Sequence, residues 1–191
     1  AYFRDAPEFL NLTLLELPHS PGLVPGGVGE RDYGVTIVRN FLYSAFMLPL
    51  WDALSRSCDA HLAAIADKSA KETQYHLRHS HDWLVRMGDG TDESHRRAQN
   101  ALDYLYSFTQ EFWVETGYEA QACKAGIAPD LTAIRTNWNA QVDATLAEAT
   151  LQRPPEAGHV PTGKQGVHSE HLSYLLSEMQ SLARAHPGAI W

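Results

Sequence analysis

Cysteine is scarce in this 191-residue chain, and basic side chains are outnumbered by acidic ones. The two cysteines, Cys58 and Cys123, form neither a CxxC pair nor a metal-ligand spacing, so we expect two unpaired thiols in a reducing cytoplasm. Lysine and arginine total 15 against 23 acidic residues, a formal net charge of −8. Because nucleic acids and anionic membranes attract basic surfaces, this balance argues against both as partners.

Long apolar runs and ligand-binding glycine motifs are also missing. The longest mostly apolar stretch, residues 41–54, is too short to span a bilayer and contains Pro49 and Asp52. No signal peptide is visible. The glycines of residues 18–30 match neither GxGxxG nor GxxxxGK, so this segment is interpreted as a loop without a phosphate site. Hydrophobic residues nevertheless make up 44% of the chain, enough for a sizeable core.

Helical periodicity is the dominant pattern, and no segment shows a convincing alternation typical of strands. Helices are predicted over residues 5–17, 31–57, 60–87, 91–117, 130–149 and from about 167 to 185. Residues 118–125 could add a further turn or two. We expect flexible loops at 18–30 and 151–166. The pattern predicts one all-α domain over residues 1–191, a bundle of long antiparallel helices.

Two of the predicted helices carry a stripe, that is, a row of residues at helical spacing that is expected to face the core. The stripe of the helix over 60–87 consists of Leu62, Ile65, Ser69, Glu72/Thr73, His76, Ser80, Trp83 and Met87. The stripe of the last helix consists of Leu172, Leu175, Met179 and Leu182.

Glu72 and His76, in KETQYH at residues 71–76, lie one helical turn apart on the first of these stripes. Di-iron bundles bind metal through Glu-x-x-His on two helices and a Glu on each of two others. Here the residue three before His76 is Thr73, whose hydroxyl is a poor ligand for hard iron or manganese. The last predicted helix carries no Glu-x-x-His either. We therefore predict no metal site, no cofactor and no catalytic residue in this chain.

Inward-facing polar groups on an otherwise apolar stripe need partners, because an unpaired buried charge costs several kcal/mol. The sequence therefore predicts a buried polar network in which protein groups balance the charge that iron would supply elsewhere. Its predicted members are Asp52, Lys68, Glu72, Thr73, His76 and His171.

Three segments carry a resemblance to a known family. Residues 68–106, KSAKETQYHLRHSHDWLVRMGDGTDESHRRAQNALDYLY, strongly resemble the C-subunit family of bacterial ring-1,2-phenylacetyl-CoA epoxidases, the phenylacetic acid degradation protein C family. Residues 163–191 are similar to that family's closing stretch, and residues 4–18 to an early one. The similarity covers nearly the whole chain.

The resemblance implies a ferritin-like fold and a cytoplasmic, non-catalytic role in aerobic phenylacetate breakdown. In that system the related A subunit holds the di-iron centre and the CoA substrate, and a reductase subunit passes electrons from NADPH. The A subunit has a motif like KEESFH, so Thr73 stands where the ligand Glu would be. Family members are longer at the N-terminus, and we expect a first bundle helix ahead of residue 1 that this chain lacks.

Three functional readings remain open from the sequence. The preferred one is a structural subunit that docks on the catalytic A subunit. The second is a di-iron oxygenase or oxidase active in its own right, with His76 as a ligand. The third is a homodimeric acyl-CoA binding module, which would need a basic pocket for the CoA phosphates.

Overall fold

The computed structural model describes residues 9–18, 32–156 and 160–189. Its helices are α1 (Thr13–Glu16), α2 (Tyr33–Leu54), α3 (Ala60–Gly88), α4 (Asp92–Leu105), α5 (Gly117–Lys124), α6 (Leu131–Glu148) and α7 (Glu170–Ala185). Two 3₁₀ segments, Tyr106–Trp113 and Gly163–Gln165, lie between them. These three ranges contain no strand, which confirms the all-α prediction. No helix in them combines the length and the hydropathy needed to cross a membrane.

Helix α2 is the central element of the described fold, in contact with α3, α4 and α6. Its first four turns are buried on nearly every side, from Gly34 and Val35 to Phe46 and Met47. A helix that is covered all round forms the core of a domain. The remaining helices are therefore arranged around α2.

Side-chain caps fix where the long helices begin. Asp32, Asp59 and Asp130 each accept a hydrogen bond from a backbone N–H in the first turn of α2, α3 and α6. Thr91 forms a reciprocal capping box with Ser94 at the start of α4. Each cap satisfies donors that a helix leaves unpaired at its N-terminus. The starts predicted for these helices are confirmed to within about two residues.

Helix α6 carries the largest buried side chain of the core. Trp138 is 1% exposed, and its indole Nε1 donates to the carbonyl oxygen of Leu42 on α2 at 3.1 Å. The rings of Tyr106, Phe112 and Trp113 surround it at centroid separations of 5.4–6.3 Å. This cluster joins α6 and the 3₁₀ segment Tyr106–Trp113 to the central helix.

The end of α3 lies against the end of α6 at a buried glycine. A Cβ placed on Gly88 would lie 2.1 Å from the carbonyl oxygen of Ala149. The Gly88 carbonyl oxygen lies 2.7 Å from His95 Nδ1 and accepts a hydrogen bond from Thr150 Oγ1 at 3.2 Å. Backbone packing this close requires a residue without a side chain.

Several predicted boundaries are wrong. Residues 9–12 are not helical, and α1 is a single turn. The predicted helical residues 5–8 lie outside the described ranges, as does the predicted loop over 18–30 after its first residue. The helix predicted over 91–117 changes at Leu105 into the 3₁₀ segment Tyr106–Trp113. On α7 the buried positions are Leu172, Leu176, Gln180 and Ala183. The predicted residues Leu175, Met179 and Leu182 are exposed instead.

Two buried carboxylates, Glu16 and Glu111, hydrogen-bond the α1 segment (residues 9–18) to the second half of the chain. Glu16 accepts from His168 Nδ1 at 2.6 Å and from the backbone N–H of Ser169 at 2.8 Å, and its side chain is fully buried. Glu111 accepts from the backbone N–H of Thr13 and of Lys164, at 2.7 and 2.8 Å. A carboxylate that receives several N–H groups offsets its desolvation cost through those bonds.

Replacing Glu16 with alanine should release this attachment. His168 Nδ1 and the Ser169 backbone N–H would lose their acceptor, at about 1–3 kcal/mol for each buried unpaired donor. Hydrogen–deuterium exchange should become faster in residues 9–18 and 163–172. Glu170→Ala, at an exposed acidic position two residues after His168, serves as the control. Equal exchange in the two variants would show that Glu16 does not hold the segment.

Candidate functional site

The two residues of the candidate metal motif lie together on α3, but in solvent. His76 Nε2 is 3.7 Å from Glu72 Oε1 across one helical turn. The two side chains are 53% and 79% exposed. An exposed pair of this kind contributes at most a few tenths of a kcal/mol to stability.

The structure does not bring the six predicted network residues together. Lys68 and Asp52 are exposed, whereas Thr73 and His171 are half-buried. The hydrogen bond at Asp52 involves its backbone carbonyl, which accepts from Ser55 Oγ at 2.8 Å. Among the six side chains, all within the described ranges, Glu72 and His76 form a polar pair, and Thr73 lines the groove between α2 and α3 with them.

The inward orientation predicted for Glu72 and His76 is therefore wrong within the described fold. The buried residues of α3 are Ala66, Ser80, Leu84 and Gly88. This face is rotated by about one position from the predicted stripe, and it packs on α2 and α4. Ser69, Glu72, Thr73 and His76 of the predicted stripe form one wall of an open groove.

The groove lies between α2 and α3, is also lined by Leu15 of α1, and has a volume of about 470 Å³. Its α3 wall is polar, with Ser69, Glu72, Thr73 and His76. Its α2 wall combines polar and large side chains: Arg39, Asn40, Tyr43, Ser44, Met47 and Trp51. Burial raises the pKa of the Tyr43 phenol, which keeps this hydroxyl protonated as a hydrogen-bond donor.

Arg39 is the functional candidate that the sequence interpretation missed. Arg39 is 3% exposed. Its Nη2 donates to the carbonyl oxygen of Pro18, and its buried Nε has no hydrogen-bond partner. Desolvation lowers the pKa of Arg39, and interaction with Tyr104 opposes this effect. The guanidinium still carries its charge at neutral pH. An arginine inside the apolar run of α2 was the available signal, because such a charge requires a partner.

The donor set at KETQYH does not fit a di-iron centre. Within residues 9–18, 32–156 and 160–189, no three His, Cys, Asp or Glu side chains are grouped so that they could hold a metal ion. Glu72 and His76 supply one carboxylate and one imidazole, and Thr73 between them supplies a neutral hydroxyl. A di-iron centre requires several anionic oxygen ligands to balance its charge.

A second cavity, of about 350 Å³, lies beside the α1 segment and is mostly apolar. Its lysine, Lys164, already has two partners. Nζ lies 2.6 Å from Glu119 Oε1 and donates a hydrogen bond to the Val114 carbonyl oxygen at 2.6 Å. A cation neutralised in this way is poorly suited to bind the phosphates of CoA.

Comparison with known proteins agrees with the fold and with the resemblance of the three segments. A family model described as "Phenylacetic acid catabolic protein" matches residues 1–191. The chain belongs to this family. It is also 39% identical over 191 residues to a protein of Escherichia coli (strain K12) that is named as the C subunit of 1,2-phenylacetyl-CoA epoxidase. That alignment covers 100% of this chain and 73% of the E. coli protein. The resemblance stated from the sequence is thereby confirmed.

Proposed function

We propose that this chain is a non-catalytic subunit of a phenylacetyl-CoA epoxidase that supports a catalytic, di-iron A subunit in aerobic phenylacetate catabolism. The observation that carries this proposal is the 39% identity to the E. coli epoxidase protein over the full chain. The iron, the substrate CoA ester and the electrons from the NADPH-dependent reductase are handled by partner subunits. This chain itself contributes a surface that docks on the A subunit.

The geometry of KETQYH supports the non-catalytic part of the proposal. Glu72 and His76 contact each other 3.7 Å apart, and the position between them that would supply a second carboxylate is Thr73. The second reading, an independently active di-iron oxygenase, would require further ligands beside them. The third reading, an acyl-CoA module, would require free cations, and Lys164 in the apolar cavity is neutralised by Glu119.

An exposed apolar stripe on α7 supports the docking part. Tyr174, Leu175, Met179 and Leu182 are all exposed along this helix. Leu175, Met179 and Leu182 follow the spacing i, i+4, i+7, which places them on one helical face. Contiguous exposed apolar side chains of this kind mark protein–protein contacts.

Co-purification tests the proposal directly. The isolated chain should carry no stoichiometric iron and show no oxygen-dependent turnover of phenylacetyl-CoA. Co-expressed with a tagged A subunit, it should elute with that subunit in a fixed ratio. Two equivalents of iron together with turnover by the isolated chain would establish the independent oxygenase instead.

Charged substitutions on α7 locate the contact. The double change Met179→Glu and Leu182→Glu should lower the amount of chain retained by the A subunit at least about tenfold, because two buried carboxylates would face an apolar partner surface. Ser173→Glu, at an exposed polar position of the same helix, should leave retention unchanged. Retention of the double variant at the wild-type level would exclude this face from the interface.

A further inference from the structure

The groove between α2 and α3 has a polar end and an apolar end. Its α2 wall carries a row of side chains four residues apart, Arg39, Tyr43, Met47 and Trp51. Residues at this spacing share one face of a helix, and the row covers about 18 Å of its length. It begins with a cation, continues with a phenol and ends with a thioether and an indole. The groove therefore changes along its length from hydrogen-bond donors to apolar surface.

The α3 wall runs antiparallel to this row. Helix α3 follows α2 after a short turn, and the rings of Tyr33 and Trp83 meet with centroids 6.2 Å apart. This register places His76 across the groove from Arg39, and Ser69 across from the apolar end. The end of the groove at Arg39 therefore has polar groups on both walls.

Arg39 is a buried cation whose pairing is incomplete. It is 3% exposed, and its Nε has no hydrogen-bond partner. Among the described residues its guanidinium forms one hydrogen bond, from Nη2 to the Pro18 carbonyl oxygen, and no ion pair within 4.0 Å. A buried arginine without a counter-ion is strongly unfavourable, and a carboxylate is the partner that matches its donors. A single carboxylate at this end of the groove would complete the pairing.

The neighbours of Arg39 favour an anion with one negative charge. Tyr43 lies one turn further along α2 and has a raised pKa because of burial, so its phenol can donate to the second oxygen of a carboxylate. The carboxylate of Glu72 lines the same groove, 79% exposed and 3.7 Å from His76. Because one cation faces one carboxylate here, a phosphate dianion would be repelled more strongly than a monoanion.

We propose that the α2–α3 groove binds a small organic monocarboxylate, with its carboxylate on Arg39 and Tyr43 and its apolar body against Met47 and Trp51. The groove volume of about 470 Å³ falls within the range of small-molecule sites, about 300–1,000 Å³. Such sites combine a largely apolar lining with a few polar groups that fix the orientation of the ligand. This binding activity is separate from docking on a catalytic subunit.

Benzoate, an aromatic ring with one carboxylate, is the probe that tests the position of the site. Met47 lines the groove, whereas Met87 and Met179 do not, so the methionine methyl groups report on its location. In the chain labelled with ¹³C-methyl methionine, benzoate should shift the Met47 resonance in a saturable manner and leave that of Met179 unchanged. Calorimetry under the same conditions gives the affinity. A Met47 resonance that does not respond to benzoate would overturn the proposal.

Substitutions of Arg39 test the role of the buried cation. Arg39→Met should lower the affinity for benzoate at least about tenfold, because the counter-ion of the carboxylate is lost. Arg39→Lys should lower it less, since lysine keeps the charge but not the planar donor geometry. Arg96→Met, on the exposed side of α4, is the matched control and should bind normally. Equal affinities of Arg39→Met and Arg96→Met for benzoate would contradict the proposal.

A ligand series on the unchanged chain keeps the test decisive if Arg39→Met fails to fold. Benzamide has the shape of benzoate without its charge, acetate lacks the ring, and inorganic phosphate lacks the ring and is mostly a dianion at pH 8. Each should bind at least about tenfold more weakly than benzoate. Equal binding of benzamide would exclude recognition of the carboxylate, equal binding of acetate would exclude the apolar contact, and equal binding of phosphate would indicate a general anion site. Any of these three results would overturn the proposal.

Discussion

Trp138→Ala should lower the free energy of unfolding by about 3–5 kcal/mol, the range for removing a large aromatic side chain from a packed core. The indole is 1% exposed and contacts the rings of Tyr106, Phe112 and Trp113. Alanine would leave a cavity at the junction of α6 and α2. The midpoint of thermal unfolding should fall by about 10 °C in a chain of this length. Urea denaturation followed by circular dichroism gives the free energy.

Trp138→Phe separates packing from hydrogen bonding at this position. It keeps an aromatic ring in the cluster but removes the Nε1 donor to the Leu42 carbonyl oxygen, 3.1 Å away. We expect a smaller loss, about 1–3 kcal/mol, from the lost indole hydrogen bond and the reduced volume. A loss from Trp138→Ala no larger than that from Trp138→Phe would contradict the central role of the aromatic cluster.

Gly88→Ala should also lower the free energy of unfolding substantially, although alanine is the better helix former. In an unconstrained helix the change would stabilise by about 1 kcal/mol. Here the new Cβ would lie 2.1 Å from the Ala149 carbonyl oxygen and 2.9 Å from its Cβ. Because the nearest atoms belong to backbone and to a short side chain, α3 and α6 must separate. Overpacking of this kind costs about 1–3 kcal/mol or more.

Gly117→Ala is the matched control for Gly88→Ala. Gly117 is also a helix-terminal glycine, at the start of α5, and a Cβ there would meet no atom within 4 Å. This change should be neutral or stabilising by up to about 1 kcal/mol. Similar unfolding free energies for the two variants would show that the contact between Gly88 and Ala149 relaxes without cost.

Local signals in the sequence were sufficient to predict most of the helices. Asp130 followed by apolar residues at helical spacing predicted α6, and Ile134, Trp138, Val142 and Leu146 are all buried as expected. The prediction succeeded because α6 has one apolar face and one neighbouring core, so the period alone determines its orientation.

The same signals failed where a helix has more than one neighbour. The α3 stripe with Glu72 and His76 has a correct helical period, but periodicity does not tell which of two faces is covered within this chain. On α7 the outward residue Met179 and the inward residue Leu176 are both apolar, so the face could not be assigned from the pattern. Tertiary context decides such cases.

At the candidate site the sequence indicates which ligand types are present, whereas the geometry required the structure. Thr73 was enough to argue against a di-iron motif, since ligand type is a property of the residue itself. Arg39 required the structure, because its importance comes from burial and from the absence of a hydrogen bond at Nε. Glu16 and Glu111 also required it, since their partners lie 152 and 98 residues away in their bonds with His168 and Thr13.

The bond between Glu16 and His168 also affects the order in which the chain folds. Its two residues are 152 positions apart, and contacts of high sequence separation form slowly because a long loop must close first. The α2–α6 core requires no residue after Leu151, whereas the bonds of Glu16 require His168 and Ser169. Until these two residues have been synthesised, the α1 segment is held by Glu111 and by its core contacts but lacks the bonds of Glu16 to His168 and Ser169. Chaperone contact or premature proteolysis at that stage should be concentrated there.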